Sequence, residues 1–279
     1  MELLKIHHEH FFSKGIRVDG RKFNEFRDLL VNIDSIETAD SSIVVKIGST
    51  TVMCGIKVTL NEDVKALESV NYSDLIDLEI ALHPLDEDKG EREEINSLLV
   101  KLIKGNVLFD HKPLICEDED GERQYLTLNI ELICLNNDGN VLDAFIIAFL
   151  GAINSLKFPD YKSICDENLH PQPTSKPSRN NAEYKRLNVL KFPISITAAL
   201  MSNGNVLVDP NRDEEQLATG LISIVFDVAT EKIIMIEKQG GTPMDDVSLL
   251  KHISFSKSMA TKFFKTMPIL QSKGEAMET

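Results

Sequence analysis

The sequence contains no tryptophan and no Cys-x-x-Cys pair, and its N-terminus does not resemble a secretory leader. The first residues, MELLKIHHEHFF, lack the apolar core and the cleavage site that a leader needs. The cysteines lie far apart in the chain, at Cys54, Cys116, Cys134 and Cys165. We therefore expect free thiols in a reducing compartment, which excludes a small disulfide-stabilised secreted domain.

Positive charge is scarce, with 30 Lys and Arg residues against 44 Asp and Glu residues and a formal net charge of −14. A protein that binds nucleic acid on its own usually carries a basic surface, so any RNA contact here is expected to be local or shared with partners. Long apolar runs are also missing, because the longest, Ala144–Ile153, falls well short of the roughly 20 residues of a membrane span. We expect a soluble, intracellular protein with no membrane partner.

The 279 residues do contain two successive groups of strands, each followed by a helix. Alternation of apolar residues around Gly48-Ser49 predicts a hairpin, and the apolar segment after residue 140 predicts a buried helix. Strands are predicted at 43–60, 75–82, 125–135, 187–200, 205–209, 220–227 and 232–236, and helices at 91–104, 141–156 and 244–267. This order predicts an α+β fold in which two βα layers with mixed sheets pack against helices.

The same features divide the chain into parts. Residues 166–186 contain three prolines and many polar side chains, which is typical of a linker loop. We expect an N-terminal arm at 1–30, a first subdomain at 31–165, the linker at 166–186, a second subdomain at 187–270 and a polar tail at 271–279.

Three histidines stand close together in the arm, at His7, His8 and His10, beside Glu9. They could contribute to a metal site. No further cluster of ligands follows them, so a solvated terminus is the preferred interpretation.

Motifs along most of the chain resemble the RNase PH family, and within it the ring subunits of the eukaryotic exosome. The segments that carry the resemblance are RVDGR (17–21), FR (26–27), VNI (31–33), TADSSIVVKIGSTTVMCGIK (38–57), LICLNNDGNVLDA (132–144), VDPNRDEEQLATG (208–220) and QGG (239–241). RVDGR alone would be a weak signal, whereas the set is specific. Residues 58–125 match poorly.

This resemblance implies an RNase PH-like fold and a pseudo-hexameric ring of six such subunits. The implied partners are other RNase PH-like ring subunits, cap subunits with RNA-binding domains, a docked hydrolytic exoribonuclease, and RNA that passes through the assembled channel. It also implies a location in the nucleus, nucleolus and cytoplasm. Active members of the family degrade RNA by phosphorolysis, in which inorganic phosphate attacks the terminal phosphodiester and releases nucleoside diphosphates.

Phosphorolysis needs a site that neutralises the charge of phosphate. Active relatives bind phosphate with a Gly-[Gly/Ser/Thr]-x-Arg type turn at a helix start, using backbone N–H groups and one arginine. The corresponding turn here contains Asp138 and Gly139, and Leu142 stands at the arginine position. A leucine cannot bind phosphate, and we expect the carboxylate of Asp143 to repel it.

Active relatives also carry two aspartates six residues apart, one of them a proposed general acid, near a metal ion. Asp209 keeps the first position, Glu215 stands at the second, and Asp213 and Glu214 add charge between them. These carboxylates could bind Mg²⁺. We prefer a solvated acidic helix start, because a metal without a phosphate site has no evident task. No metal or other cofactor is therefore expected.

Two further sets of basic residues are candidates for contact with RNA. The arginine pair that guides RNA in active relatives falls on 82–93, where Lys89 and Arg92 stand among acidic residues. Arg17 and Arg21 could contact RNA or form an ion pair that fixes the arm to a neighbouring segment or subunit. We prefer the ion pair, because active and inactive relatives share this motif.

Three functions are consistent with these patterns. The preferred one is a non-catalytic structural subunit of the RNA exosome ring that supports 3'-to-5' RNA processing and degradation, including rRNA maturation and mRNA turnover. The alternatives are an active phosphate-dependent 3'-to-5' exoribonuclease and a protein of the same fold that works outside any ring. The non-catalytic function is favoured by Leu142 at the arginine position, by the altered carboxylate pair and by the acidic surroundings of Lys89 and Arg92.

Overall fold

The computed structural model describes residues 2–61, 71–82, 89–117, 123–159, 184–241, 243–244 and 246–266. The helices are α1 Glu2–Phe12, α2 Lys89–Ile103, α3 Val141–Ser155, α4 Arg212–Leu217 and α5 Asp246–Thr266. The strands are β1 Leu29–Ile33, β2 Ser41–Ile47, β3 Thr50–Asn61, β4 Ile76–Ala81, β5 Ile115–Glu117, β6 Arg123–Asn136, β7 Phe158–Pro159, β8 Tyr184–Lys185, β9 Pro193–Leu200, β10 Val206–Val208, β11 Gly220–Asp227 and β12 Lys232–Gly240. The α+β fold expected from the sequence, with sheets packed against helices, is confirmed.

The first sheet has the strand order β1-β2-β3-β6-β4, and β5 also pairs with β6. Its strands are antiparallel except for β4, which runs parallel to β6. The predicted hairpin is present as β2 and β3, which pair so that Val45 lies opposite Val52. Both side chains are fully buried, as alternation of apolar residues requires on the covered face of a sheet.

The second sheet has the order β10-β9-β11-β12, and all its neighbouring strands are antiparallel. Every residue of β9 is buried, because α3 packs on one face of the strand and α5 contacts it as well. The residues of the edge strand β12 are instead all exposed or partly buried.

Helix α3 lies between the sheets, in contact with β2 and β3 of the first and β9 of the second. All of its residues from Val141 to Ile153 are buried, which explains why the segment is apolar on nearly every side apart from Asp143. Gly151 allows β2 to approach, because a Cβ at this position would lie 2.4 Å from the Cδ1 atom of Ile43. The turn that precedes α3 is therefore held at the junction of the two sheets.

Several predicted boundaries differ from the structure. The strand predicted from residue 187 begins at Pro193, because Leu187 and Val189 are buried outside the ladder and Val189 forms an isolated bridge to Phe109. The last residues of the predicted linker, Tyr184–Lys185, form β8, which pairs with β7. The predicted start of the first subdomain at residue 31 falls inside β1. Residues 160–183 and 267–279, which include most of the linker and the tail, lie outside the described residues.

The solvated terminus predicted for the histidines is wrong for His8, which is buried, whereas His7 and His10 are exposed. The apolar face of α1 is covered, since Phe12 packs edge-to-face on Phe23 and His8 makes a similar contact with Phe12. Within the described ranges, no helix combines the length and apolar character of a membrane span.

Candidate functional site

Two turns meet at the N-terminus of α3. The first is the Asn137–Asn140 turn, and the second is the Asp209–Asn211 turn that precedes α4. Gly139 has a φ of +80°, and a Cβ there would lie 2.5–2.7 Å from backbone atoms of residues 210–212. Glycine is therefore required for both the conformation and the close approach of the two turns.

Asp209 is fully buried where the two turns meet. Its two carboxylate oxygens accept from the backbone N–H of Arg27 at 2.8 Å, from Arg27 Nε at 3.0 Å and Nη2 at 2.8 Å, from Arg21 Nη1 at 3.0 Å and from Asn140 Nδ2 at 2.7 Å. Burial by itself would raise the pKa of this carboxyl, but the hydrogen bonds and charge of Arg27 outweigh it and hold the pKa below its usual value. The prediction of a solvated acidic cluster is wrong for Asp209, whose oxygens are already occupied by protein donors.

Arg27 joins the two turns. Besides binding Asp209, it donates from Nη1 to the carbonyl of Asp138 at 2.8 Å and from Nη2 to the carbonyl of Gly139 at 3.1 Å. Burial would lower the pKa of Arg27, but its contacts with Asp209 raise the pKa overall. The sequence alone does not assign Arg27 a role. A buried Asp209 needs a cation nearby, but its burial becomes visible only in the folded structure.

Arg17 is also fully buried, and its guanidinium forms a two-point ion pair with Glu214. It donates further hydrogen bonds to the carbonyls of Val208 at 2.7 Å and Asp209 at 2.8 Å. Of the two interpretations, the structure places Arg17 in an ion pair that fixes the arm to α4, and its burial leaves no surface for RNA. Arg21 is held in a similar way by Asp19 at 2.7 Å and by Asp209.

Glu214 is therefore not solvated either, contrary to expectation. It also forms a capping box with Asn211, in which each side chain accepts from the other residue's backbone N–H. Asp213 is the exposed member of the group. Among the described residues, no group of three or more His, Cys, Asp or Glu side chains is arranged to hold a metal ion.

The carboxyl group of Asp143, which was expected to repel phosphate, is instead buried and bound by β9. Its buried carboxylate accepts from the backbone N–H of Thr197 at 2.9 Å and from its Oγ1 at 2.7 Å, which ties α3 to β9. Burial raises the pKa of Asp143 despite the opposing hydrogen bonds of Ser195 and Thr197. Leu142, which the resemblance to the family aligns with the phosphate-binding arginine, is 7% exposed and belongs to the hydrophobic core.

Glu215 lies at the start of α3, although it belongs to α4. Its Oε1 accepts from the backbone N–H of Asn140 at 2.7 Å, and its Oε2 lies 3.8 Å from Arg212 Nη1. The backbone N–H of Asn140 therefore already donates to a carboxylate of the same chain.

A small cavity of about 40 Å³ lies beside the turn. Two of its lining residues, Glu94 and Glu215, are acidic. The others are apolar or neutral: Ile95, Leu98, Asn140, Val141, Leu142, Thr197, Leu221, Ser223 and Gln239. No Lys or Arg is present among these described lining residues, so the cavity has no side-chain cation to bind a phosphate group. Of the stretch predicted to replace the RNA-guiding arginines, residues 83–88 lie outside the described part of the chain, and Lys89 begins α2.

Comparison with known proteins agrees with this fold. The models of the 3' exoribonuclease family match the chain at residues 25–159 for domain 1 and 191–259 for domain 2. Exosome complex component Rrp42 of Thermococcus onnurineus is 33% identical over 222 residues, which cover 77% of this chain and 76% of that protein. Exosome complex component rrp43 of Schizosaccharomyces pombe is 25% identical over 260 residues, which cover 89% of each.

Solved structures show the same architecture. A chain of the Archaeoglobus fulgidus exosome with RNA bound to the active site superposes with a TM-score of 0.74 at 23% identity, over 95% of this chain and 98% of that one. A chain of an archaeal exosome core gives a TM-score of 0.73 at 24% identity, over 95% of this chain and 97% of that one. Both domain models, the curated relatives and the shared fold lead to one conclusion: this chain belongs to the RNase PH family of 3' exoribonucleases.

Proposed function

We propose that the chain is a non-catalytic structural subunit of an RNA exosome ring. The observation that carries this proposal is the cavity at the degenerate turn, where Leu142 takes the arginine position and Glu94 and Glu215 are the charged lining residues. Phosphorolysis brings an anion to an anionic ester, so a site with two carboxylates and no cation opposes both reactants.

The first carboxylate position, Asp209, supports the same conclusion. A general acid must reach the reacting atoms, but Asp209 is fully buried and its oxygens accept from Arg27, Arg21 and Asn140. In this chain the residue joins the N-terminal arm to the two turns.

The subunit is of the ribosomal RNA-processing protein 43 type or of one of its two non-catalytic paralogues. This assignment draws on the relatives named exosome complex component Rrp42 and rrp43. Its proposed partners are other RNase PH-like ring subunits, cap subunits with RNA-binding domains and a docked hydrolytic exoribonuclease, with RNA passing through the channel. The ring would act in the nucleus, nucleolus and cytoplasm, in rRNA maturation and mRNA turnover.

An RNA decay assay tests the lack of catalysis. The chain, alone and assembled with ring partners that are themselves inactive, is incubated with single-stranded RNA, Mg²⁺ and inorganic phosphate, and nucleoside diphosphates are measured against an active phosphorolytic enzyme. We expect no release from wild type and none from Leu142→Arg, because the carboxylate pair at Asp209 and Glu215 is altered as well. Phosphate-dependent release that co-elutes with the chain would show instead that it is an active phosphorolytic exoribonuclease.

A further inference from the structure

The N-terminus of α3 has no conventional cap. Its N-cap residue, Asn140, is in the left-handed conformation at a φ of 57°, and its side chain makes no capping hydrogen bond. The first backbone N–H groups of a helix have no partner within the helix, and the helix dipole adds partial positive charge at this end. This helix is 15 residues long and its N-terminus is buried, so an anion placed there would be strongly favoured.

Glu215 supplies a carboxylate at this point from the other half of the molecule. Its Oε1 lies 2.7 Å from the backbone N of Asn140, and its side chain is 12% exposed. Arg212 Nη1 lies 3.8 Å from the second carboxylate oxygen of Glu215.

We infer that Glu215 is the internal anion of this helix N-terminus and that its carboxylate excludes inorganic phosphate from the turn. The inference rests on the proposed function, because it takes the turn to be a degenerate phosphate site. It extends that proposal by adding an obstacle to phosphate binding that does not depend on Leu142. Leu142 takes the place of a cationic side chain, whereas Glu215 places a negative charge at the helix end.

The space that remains supports this exclusion. The cavity beside the turn is small, at about 40 Å³, and its charged lining residues are Glu94 and Glu215. Asn140 lines the cavity and is 2% exposed, and its Oδ1 has no hydrogen-bond partner in the described part of the chain. This amide oxygen is an acceptor, so it offers no hydrogen bond to the ionised oxygens of an anion.

The test removes the carboxylate and measures the response to inorganic phosphate. Glu215→Ala and the matched control Asp213→Ala lose the same charge from the same helix, but Asp213 is exposed, whereas Glu215 accepts from the backbone N–H of Asn140. Thermal melting is recorded with increasing sodium phosphate, and ionic strength is held constant with sodium chloride.

We expect the Tm of wild type and of Asp213→Ala to be independent of phosphate. The Tm of Glu215→Ala should rise by roughly 2–4 °C when phosphate reaches about ten times its Kd. Glu215→Ser serves as a second variant if the alanine variant does not fold. A flat response of every folded Glu215 variant would overturn the inference, as would phosphate stabilisation of wild type.

A measurement on wild type alone gives an independent check. We expect the NMR amide signal of Asn140 to be unchanged by inorganic phosphate, because its N–H already donates to Glu215. A phosphate-dependent shift of this signal would overturn the inference. It would leave the proposed function standing as long as the RNA decay assay detects no nucleoside diphosphates.

Discussion

Burial decides the roles of individual charged residues in this chain. The guanidinium of Arg17 is fully enclosed, as is the carboxylate of Glu214 that it binds. By contrast, the ion pair between Lys5 and Glu9 on α1 is more than half exposed on both sides. Removing one member of a buried pair leaves the other charge without compensation, whereas water replaces the partner at an exposed pair.

Arg17→Met is therefore expected to lower the free energy of unfolding by about 3–5 kcal/mol. The control Lys5→Met should lower it by less than about 1 kcal/mol. Urea denaturation of the two variants measures both values. Equal and small effects would contradict a buried structural role for Arg17.

His252 on α5 is a second residue whose environment controls its charge. Burial lowers the pKa of its imidazole from 6.5 to about 4, and its Nε2 has no hydrogen-bond partner among the described residues. Because the folded pKa is lowered, the unfolded chain binds more protons between pH 4 and 6.5, so stability falls as pH decreases through this range. The contribution lost is on the order of 3 kcal/mol.

His252→Gln should flatten the dependence of Tm on pH between 4 and 6.5. His7→Gln is the control, because His7 is exposed and its replacement should leave the profile unchanged. Parallel profiles for wild type and His252→Gln would show that His252 titrates normally in the folded protein.

At the scale of elements, the arrangement depends on the approach of the turns before α3 and α4. Gly139 and Gly204 have nearly equal φ angles of +80° and +82°, but only Gly139 faces backbone atoms, since nothing lies within 4 Å of a Cβ at Gly204. The two glycines therefore separate the cost of a left-handed conformation from the cost of a clash.

Gly204→Ala should cost about 1–2 kcal/mol, the usual penalty of an L-residue in the left-handed region. Gly139→Ala should cost about 1–3 kcal/mol more, because the turn at 210–212 has to move. Denaturation of both variants gives the difference. A cost for Gly139→Ala no larger than that for Gly204→Ala would mean that the turns are not held together tightly.

Elements were predictable where their signal is local. The largely apolar pattern of α3 and the alternation in β3 follow from contacts that the whole element makes. The start of β9 was missed because residues 187–192 are apolar for a different reason, namely that Leu187 and Val189 pack beside Phe109 without joining the sheet.

The site was predictable only where residue type alone decides the chemistry. A leucine side chain cannot bind phosphate in any conformation, so this expectation for Leu142 follows from the sequence alone. Arg27 and Asp209 are separated by 182 residues, and nothing near either one indicates their pairing. The same holds for Glu215 and Asn140, which meet only after both halves of the molecule have folded.

At the scale of the whole molecule, two edge strands carry exposed apolar side chains. β1 ends the first sheet and exposes Leu30 and Ile33, whereas β12 ends the second and exposes Ile233 and Ile236. Exposed apolar residues on unpaired strand edges are commonly covered by another protein. These edges are consistent with a subunit that works next to others.

The native mass of the complex purified from cells through a tag on this chain tests the central claim most directly. We expect an assembly many times larger than the 31.3 kDa chain, in which mass spectrometry of the dissociated components finds several different RNase PH-like subunits. Recovery of the chain as a 31.3 kDa monomer, or as an assembly of identical copies alone, would show that it is not a subunit of a mixed ring.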